Sequence, residues 1–160
     1  MIADRVQMRL LLPGDQETAR CLILAGLGEH FGCLDESRNP DLDDIMASYV
    51  ARGHVFLVAE INAEMVGTGA LILAGDGTGQ LARLSVAAAF RRQGIGCALV
   101  ACLLETARAR GLARLWVETN DNWEDAISLY RGSGFEEYDR AGGNVYLALE
   151  LERNPTAPPA

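Results

Sequence analysis

Apolar residues recur along the chain with two spacings, one typical of strands and the other of helices. Alternating or continuous apolar runs predict strands over residues 7–12, 54–61, 65–73, 80–86, 115–119, 135–138 and 145–151. Three- and four-residue spacing predicts a helix that is capped by Asp15 and has Gly28 and Gly32 near its end, and further helices over 41–52, 94–110 and 124–131. Gly53 and Gly111 are placed to end two of these helices.

The order of these elements, β-α-α-β-β-β-α-β-α-β-β, favours an α/β (α+β) fold with a mixed sheet and helices on both faces. A chain of 160 residues suits one domain, which we place at residues 1–152. Residues 153–160 are rich in proline, and we expect them to form a disordered tail.

Charge and hydropathy exclude several classes of partner. The net charge of −8 argues against nucleic acid, whose binding needs clustered Lys and Arg. The same charge suits a cationic acceptor entering an acidic cleft, although an acidic surface also serves solubility. No apolar run approaches the ~20 residues that span a bilayer, and the first residues lack a basic region followed by an apolar core. We therefore expect no membrane association and a cytoplasmic location.

The cysteines and histidines show no metal-binding pattern. The four cysteines form no C-x-x-C pair, and the two histidines stand far apart, so we expect no metal site. Cys21, Cys97 and Cys102 lie in apolar stretches, where small buried thiols are the ordinary expectation.

The most informative segment joins the strand that ends at Val86 to the helix that follows. It contains Arg91 and Arg92, then Gly94 and Gly96 where the helix begins. The first N–H groups of a helix have no partner within it, and the helix dipole favours an anion there. Glycines let a ligand approach those amides closely. The segment therefore predicts a diphosphate site, although two glycines could also serve only to make the connection tight. It matches neither a Walker loop nor a dinucleotide fingerprint.

Two motifs carry a family resemblance. The run Gln80-Leu-Ala-Arg-Leu-Ser-Val86, followed by Phe90-Arg-Arg-Gln-Gly-Ile-Gly-Cys-Ala-Leu99, resembles the signature strand and acyl-CoA loop of the GNAT superfamily of N-acetyltransferases, [RQ]-x-x-G-x-[GA]. Ala126-Ile-Ser-Leu-Tyr-Arg-Gly-Ser-Gly-Phe135 resembles the family's A-x-x-L-Y-x-x-x-G-F segment. The resemblance covers roughly residues 5–152. It implies the GNAT fold, a central, mixed and mostly antiparallel sheet of about seven strands.

The resemblance also implies a co-substrate and the residues that hold it. The co-substrate would be acetyl-CoA, its diphosphate held by the loop and helix start and its pantetheine arm paired with the preceding strand. The residues implied are Leu84, Ser85, Val86, Arg91, Arg92, Gln93, Gly94, Ile95, Gly96, Cys97 and, with less support from the motif, Asn122.

By the same resemblance, Tyr130 is the acid that protonates the departing thiolate, since a phenol with a pKa near 10 keeps its proton at neutral pH. The N–H of Val86 would stabilise the oxyanion. Many members carry a basic glutamate on the signature strand, but here the slot holds Gln80, or Arg83 in another register, so the general base is left open.

The acceptor side of the resemblance is less complete. Trp123 stands where the family often has asparagine, with Asn122 one position earlier. By resemblance, the region that carries Glu29, His30 and Phe31 lines the acceptor pocket, although surface or core positions explain these residues as well. Glu60 and Glu118 are further acids without an assigned role.

These residues predict acetylation of a primary amine by direct attack on the thioester. We expect a small-molecule acceptor because no accessory domain for docking a protein is present, with a protein N-terminus or lysine as the alternative. A catalytically silent acyl-CoA sensor and an unrelated phosphate-binding module are the other open alternatives. Homodimers are common in the family, but the sequence identifies no interface.

Overall fold

A computed structural model describes residues 2–31 and 38–152. The strands are β1 (Gln7–Leu10), β2 (Val55–Ile61), β3 (Glu64–Leu73), β4 (Thr78–Val86), β5 (Arg114–Asn120), β6 (Glu136–Ala141) and β7 (Asn144–Glu150). The α-helices are α1 (Gln16–Phe31), α2 (Ile95–Ala109) and α3 (Glu124–Gly132). The seven strands form one sheet in the order β1-β2-β3-β4-β5-β7-β6. The predicted mixed sheet is therefore confirmed, with β4 and β5 parallel and the pairs β1–β2, β5–β7 and β6–β7 antiparallel.

Contacts group the chain into two compact units. The first contains Met1–Ala70 and Arg83–Leu99, and the second contains Leu71–Ala82 and Val100–Ala160. Whether residues 1–152 behave as a single domain stays a prediction. Residues 153–160, where we expect a tail, lie outside the described residues.

The core of the first unit fixes the end of β4 and the start of α2. Its buried cluster contains Ile61, Val66, Ile95 and Leu99, against which Leu84, Val86 and Phe90 also pack. Gly67 of β3 lies close to both the end of β4 and the first turns of α2. A Cβ added at Gly67 would lie 2.9 Å from a Leu99 methyl group and 3.1 Å from the Ser85 carbonyl oxygen.

The core of the second unit lies on one side of β5 and β7. Leu115 and Val117 of β5 are buried, as are Val145 and Leu147 of β7, while the residues between them are more exposed. This alternation is the period-two pattern of a sheet with one buried face. The other face of these strands is therefore open to solvent.

The helix predicted over residues 41–52 is wrong. The segment forms a 3₁₀ turn, Pro40–Asp43, and then a π-helical turn, Met46–Val50. Asp44 between them has an extended backbone, and its carboxylate accepts a hydrogen bond from the Ala47 N–H at 3.0 Å. Because Asp44 caps the second turn, a continuous helix cannot run through it.

The predicted burial of the cysteines is also wrong for two of the three described. Cys21 and Cys97 are exposed, and Cys102 is half-buried. α2 buries Ile95, Leu99 and Leu103, a stripe with four-residue spacing, so Cys97 lies on another side of the helix. Cys33 lies outside the described residues.

Candidate active site

The connection from β4 to α2 contains two reversals of the backbone. A 3₁₀ turn, Ala88–Phe90, follows β4 and is anchored by the Ala87 N–H, which donates to the Val66 carbonyl at 2.8 Å. Arg92 and Gly94 then have positive φ angles of 60° and 85°. Left-handed residues interspersed in a turn direct successive N–H groups to one side and form a concave anion-binding nest. Gly94 adopts this conformation without steric cost, whereas Arg92 does so under strain.

The first turn of α2 leaves its amides available. The Ala98 N–H donates to the Gly94 carbonyl at 3.0 Å and makes the helix's first interior hydrogen bond. The N–H groups of Ile95, Gly96 and Cys97 precede that bond and have no acceptor within the helix. The helix dipole adds partial positive charge at the same place, so this turn suits an anion.

Arg91 links the loop to α1, because its guanidinium is paired with a carboxylate of that helix. Its Nη1 donates to the Glu29 carboxylate, and its Nε donates to the Val86 carbonyl at 3.0 Å. Gly26 lets α1 lie close to Ser85, because a Cβ there would lie only 3.1 Å from Ser85 Oγ. The charge of Arg91 is therefore offset by Glu29, while the backbone amides keep their attraction for a diphosphate.

We predict that Glu29→Gln strengthens CoA binding. The substitution removes the anion that offsets Arg91, so CoA affinity should rise about two- to fivefold at low salt, the size expected of one exposed charge pair. Calorimetry at low and at high ionic strength measures the effect, which salt should suppress. Glu17→Gln, a change at an exposed acid of the same helix, is the control. Weaker binding by Glu29→Gln would show that Glu29 supports the loop rather than offsetting its charge.

β4 changes course at Arg83. This residue has a positive φ of 52°, unusual for a strand, and its carbonyl accepts a hydrogen bond from Thr68 Oγ1 at 2.8 Å. The register between β4 and β5 runs from Thr78 opposite Arg114 to Leu81 opposite Val117, whereas β4 itself continues to Val86. A left-handed residue within a strand is typical of a bulge, which redirects the backbone that follows.

The Arg83 side chain, at one of the two positions considered for the family's base, is held by a polar network. Its Nη2 and Nε donate to the two Asp41 oxygens at 2.6 and 3.0 Å, and its Nη1 donates to Asn39 Oδ1 at 3.1 Å. The Tyr49 hydroxyl donates to Asp41 at 2.5 Å. Burial tends to raise the pKa of Asp41, but the hydrogen bonds from Arg83 and Tyr49 outweigh it and hold that pKa below its usual value. Burial, together with Asp41, raises the pKa of Tyr49 to about 12. The network is therefore structural, and neither acid in it is suited to accept a proton.

We predict that Asp41→Asn destabilises the fold by about 1–3 kcal/mol, because it leaves a half-buried guanidinium without its anion. The side chains of Arg83 and Asp41 are 19% and 28% exposed, so solvent screens part of the effect. The folded-state pKa of Asp41 is lowered, so its contribution is present above the unfolded pKa of about 3.9 and is lost as pH falls through the folded value.

Urea unfolding at pH 7 and in acid measures this difference. Asp43→Asn, at an exposed position of the same turn, is the control and should stay within about 0.5 kcal/mol. If Asp41→Asn and the wild type had the same free energy of unfolding at pH 7, the Arg83–Asp41 ion pair would not stabilise the fold.

Tyr130 lies in α3 and is 5% exposed. Its ring meets that of Phe135 edge to face, with 5.7 Å between the centroids, and its carbonyl accepts a hydrogen bond from the Phe135 N–H at 3.0 Å. Burial raises the pKa of Tyr130 well above its usual value. The phenol therefore keeps its proton throughout the neutral range, as a proton donor requires.

The remaining predicted residues are placed as follows. Asn122 is exposed in the turn before α3, and the carbonyl of Trp123 accepts the Ile127 N–H at 3.1 Å in the first turn of that helix. Glu60 pairs with Arg9 at 3.2 Å, and Glu118 accepts hydrogen bonds from Asn144 and Tyr146. His30 and Phe31 belong to the last turn of α1, but their side chains lie outside the described part of the structure. Among the described side chains, no three of His, Cys, Asp and Glu converge as metal ligands would.

Comparison with known proteins identifies the family. The model of the acetyltransferase (GNAT) family matches residues 26–135, and the chain belongs to this family. It is similar to the uncharacterised N-acetyltransferase YjgM of Escherichia coli, with 33% identity over 108 residues that cover 66% of this chain and 65% of that protein. It is also similar to rat N-acetyltransferase 8B, with 40% identity over 61% of this chain. The chain therefore spans about two thirds of the first relative and 46% of the second.

Solved structures confirm the fold. A GNAT-family acetyltransferase from Staphylococcus aureus Mu50 has a TM-score of 0.84 at 23% identity, covering 92% of this chain and 99% of that one. The PaiA N-acetyltransferase from Thermoplasma acidophilum, solved in complex with coenzyme A, has a TM-score of 0.81 at 18% identity, covering 91% and 99%. The predicted GNAT fold is thus confirmed.

Proposed function

We propose that this protein is an acetyl-CoA-dependent N-acetyltransferase that acts on a primary amine. The observation that carries the proposal is the turn between β4 and α2, where left-handed Arg92 and Gly94 precede the first amides of α2, which have no acceptor within the helix. Family membership supports it, as does the coenzyme A in the T. acidophilum structure. None of the described helices is long and apolar enough to cross a bilayer, and a cytoplasmic location stays a prediction.

The chain's residues fit such a co-substrate. The amides of residues 92–97 would hold the diphosphate, since they combine a nest with a helix start. The backbone of Leu84–Val86, beyond the reversal at Arg83, would pair with the pantetheine arm as an added strand does. Leu84 and Val86 pack against the buried cluster that contains Ile95 and Leu99, and such packing favours a preorganised site.

Acetyl-CoA supplies the acetyl group as a reactive thioester. The N–H of Val86 would donate to the carbonyl oxygen as negative charge develops there, and Tyr130 would give its phenolic proton to the departing sulfur as the C–N bond forms and the C–S bond breaks. The acetylated nitrogen would then lose its extra proton to water, and the Tyr130 phenolate would regain one from water, so that a neutral amide and a protonated acid remain. Of the two positions considered for a base on this strand, Gln80 is an amide, and Arg83 is a cation paired with Asp41, so neither can accept the proton. We therefore propose that the acceptor's ammonium proton leaves to water before the amine attacks.

Release of free CoA, measured in the steady state across a panel of primary amines, tests the proposal. Amine-dependent release supports transfer, while binding of acetyl-CoA without release supports a silent sensor. Affinity for nucleoside diphosphates equal to that for CoA would indicate a general phosphate-binding module instead. One face of the second unit offers a surface for an acceptor larger than a small amine.

A further inference from the structure

The solvent-facing side of the β5–β7–β6 sheet combines aromatic and acidic side chains. Glu118 of β5 and Asp139 of β6 both lie opposite Tyr146 of β7. In the next row, Trp116 and Glu136 both lie opposite Ala148. We call this the acidic–aromatic face and define it by Arg114, Trp116, Glu118, Glu136, Tyr138, Asp139, Tyr146 and Glu150.

A groove of about 360 Å³ lies on this face. Its walls include Trp116, Tyr138 and Tyr146, and Tyr138 is 52% exposed. Arg114 lies over the Tyr138 ring at 5.0 Å and pairs with Glu150 at 3.4 Å, so its charge is already engaged. The aromatic surfaces of Trp116 and Tyr146 remain part of an open groove.

Charge on the two sides of this sheet is segregated. The face carries four carboxylates against the single guanidinium of Arg114, a net charge of −3. The cations Arg131 and Arg140 both pair with Glu137. Glu137 lies opposite buried Leu147, on the other side of the sheet. The face therefore offers carboxylates and aromatic rings together, the groups that bind ammonium and guanidinium ions.

We propose that the acidic–aromatic face docks a basic, extended segment of an acceptor polypeptide. The proposal rests on the proposed function and makes the acceptor a protein. Alternate side chains of an extended peptide project to one side about 7 Å apart, the same spacing that separates Trp116 from Glu118 along β5. Three strands give the face a width of about 10 Å, which is enough to contact several side chains of a peptide. A small amine would need only one carboxylate. A second copy of this chain would bring an identical negative surface, so self-association through the face is disfavoured.

Fluorescence anisotropy tests the docking without acetyl-CoA. The probes are a fluorescein-labelled dodecapeptide that alternates lysine with glycine and its glutamate counterpart. We expect the lysine peptide alone to bind, and the double variant Glu136→Lys/Asp139→Lys to weaken its binding at least about tenfold at low salt. The matched double variant Glu64→Lys/Glu105→Lys makes the same change in net charge at exposed positions elsewhere and should cost less than about threefold. Tyr138→Ser should also weaken binding, because it removes an exposed ring from the groove.

Equal weakening by the two double variants would overturn the proposal, since it would show attraction to net charge alone. Binding of the glutamate peptide as tightly as the lysine peptide would also overturn it. The two proposals fail separately. A lysine peptide that binds but releases no CoA contradicts acetyl transfer to it, whereas turnover of small amines without peptide binding contradicts docking.

Discussion

Gly96→Glu is expected to abolish CoA binding while the protein stays folded. The new carboxylate would stand among the amides at the start of α2, where it would compete with the diphosphate and repel it. We expect a loss of affinity of at least about 100-fold, equivalent to about 2.7 kcal/mol. Glutamate also has a higher helix propensity than glycine, and its charge suits a helix N-terminus, so stability should not fall.

Calorimetric titration with CoA and thermal unfolding measure the two halves of this prediction. Gly14→Glu is the matched control, because Gly14 is exposed and no atom lies within 4 Å of an added Cβ. It adds the same charge and should bind CoA as the wild type does. Wild-type affinity in Gly96→Glu would refute the assignment of the loop.

Tyr130→Phe should lower kcat by about 10² or more while the affinity for acetyl-CoA changes less than about threefold. The phenyl ring keeps its edge-to-face contact with Phe135, so the packing is retained and only the proton donor is lost. Losses of 10² to 10⁴ are the usual contribution of a positioned acid. Steady-state release of CoA and equilibrium binding of acetyl-CoA together make the measurement.

Tyr49→Phe is the control for Tyr130→Phe, because it removes a buried hydroxyl to which we assign only a structural role. Tyr49 is also buried, and its hydroxyl donates to Asp41. Its loss should cost about 1 kcal/mol of stability and leave kcat within about threefold. A Tyr130→Phe variant that turns over at the wild-type rate would remove Tyr130 from the role of acid.

Local pattern was sufficient to predict the elements that build the candidate loop. The period-two run of β4 and the four-residue spacing of α2 are set by neighbouring residues, and Gly94 marks the left-handed position between them. The mixed sheet followed from the order of the elements. The periodicity of each element depends only on neighbouring residues, and the sheet type follows from the order of strands and helices along the chain. Both can therefore be read from one sequence.

The ion pairs were not predictable in this way. Arg83 meets Asp41 across 42 positions, and Arg91 meets Glu29 across 62, so no local spacing records either contact. Both pairs change the expected chemistry. One engages Arg83, which is one of the two positions considered for the base, and the other balances a cation assigned to the diphosphate. The acidic–aromatic face did leave a signal in the alternation of Arg114, Trp116 and Glu118 along β5, but its width depends on the pairing with β7 and β6.

The roles of Leu84–Val86, Asn122 and the loop residues in holding acetyl-CoA stay predictions, and all of them depend on where the diphosphate binds. A crystal structure of the protein with CoA tests this most directly. We expect the diphosphate to lie within hydrogen-bonding distance of the backbone amides of residues 92–97. A diphosphate bound elsewhere, with these amides contacting only water, would contradict it.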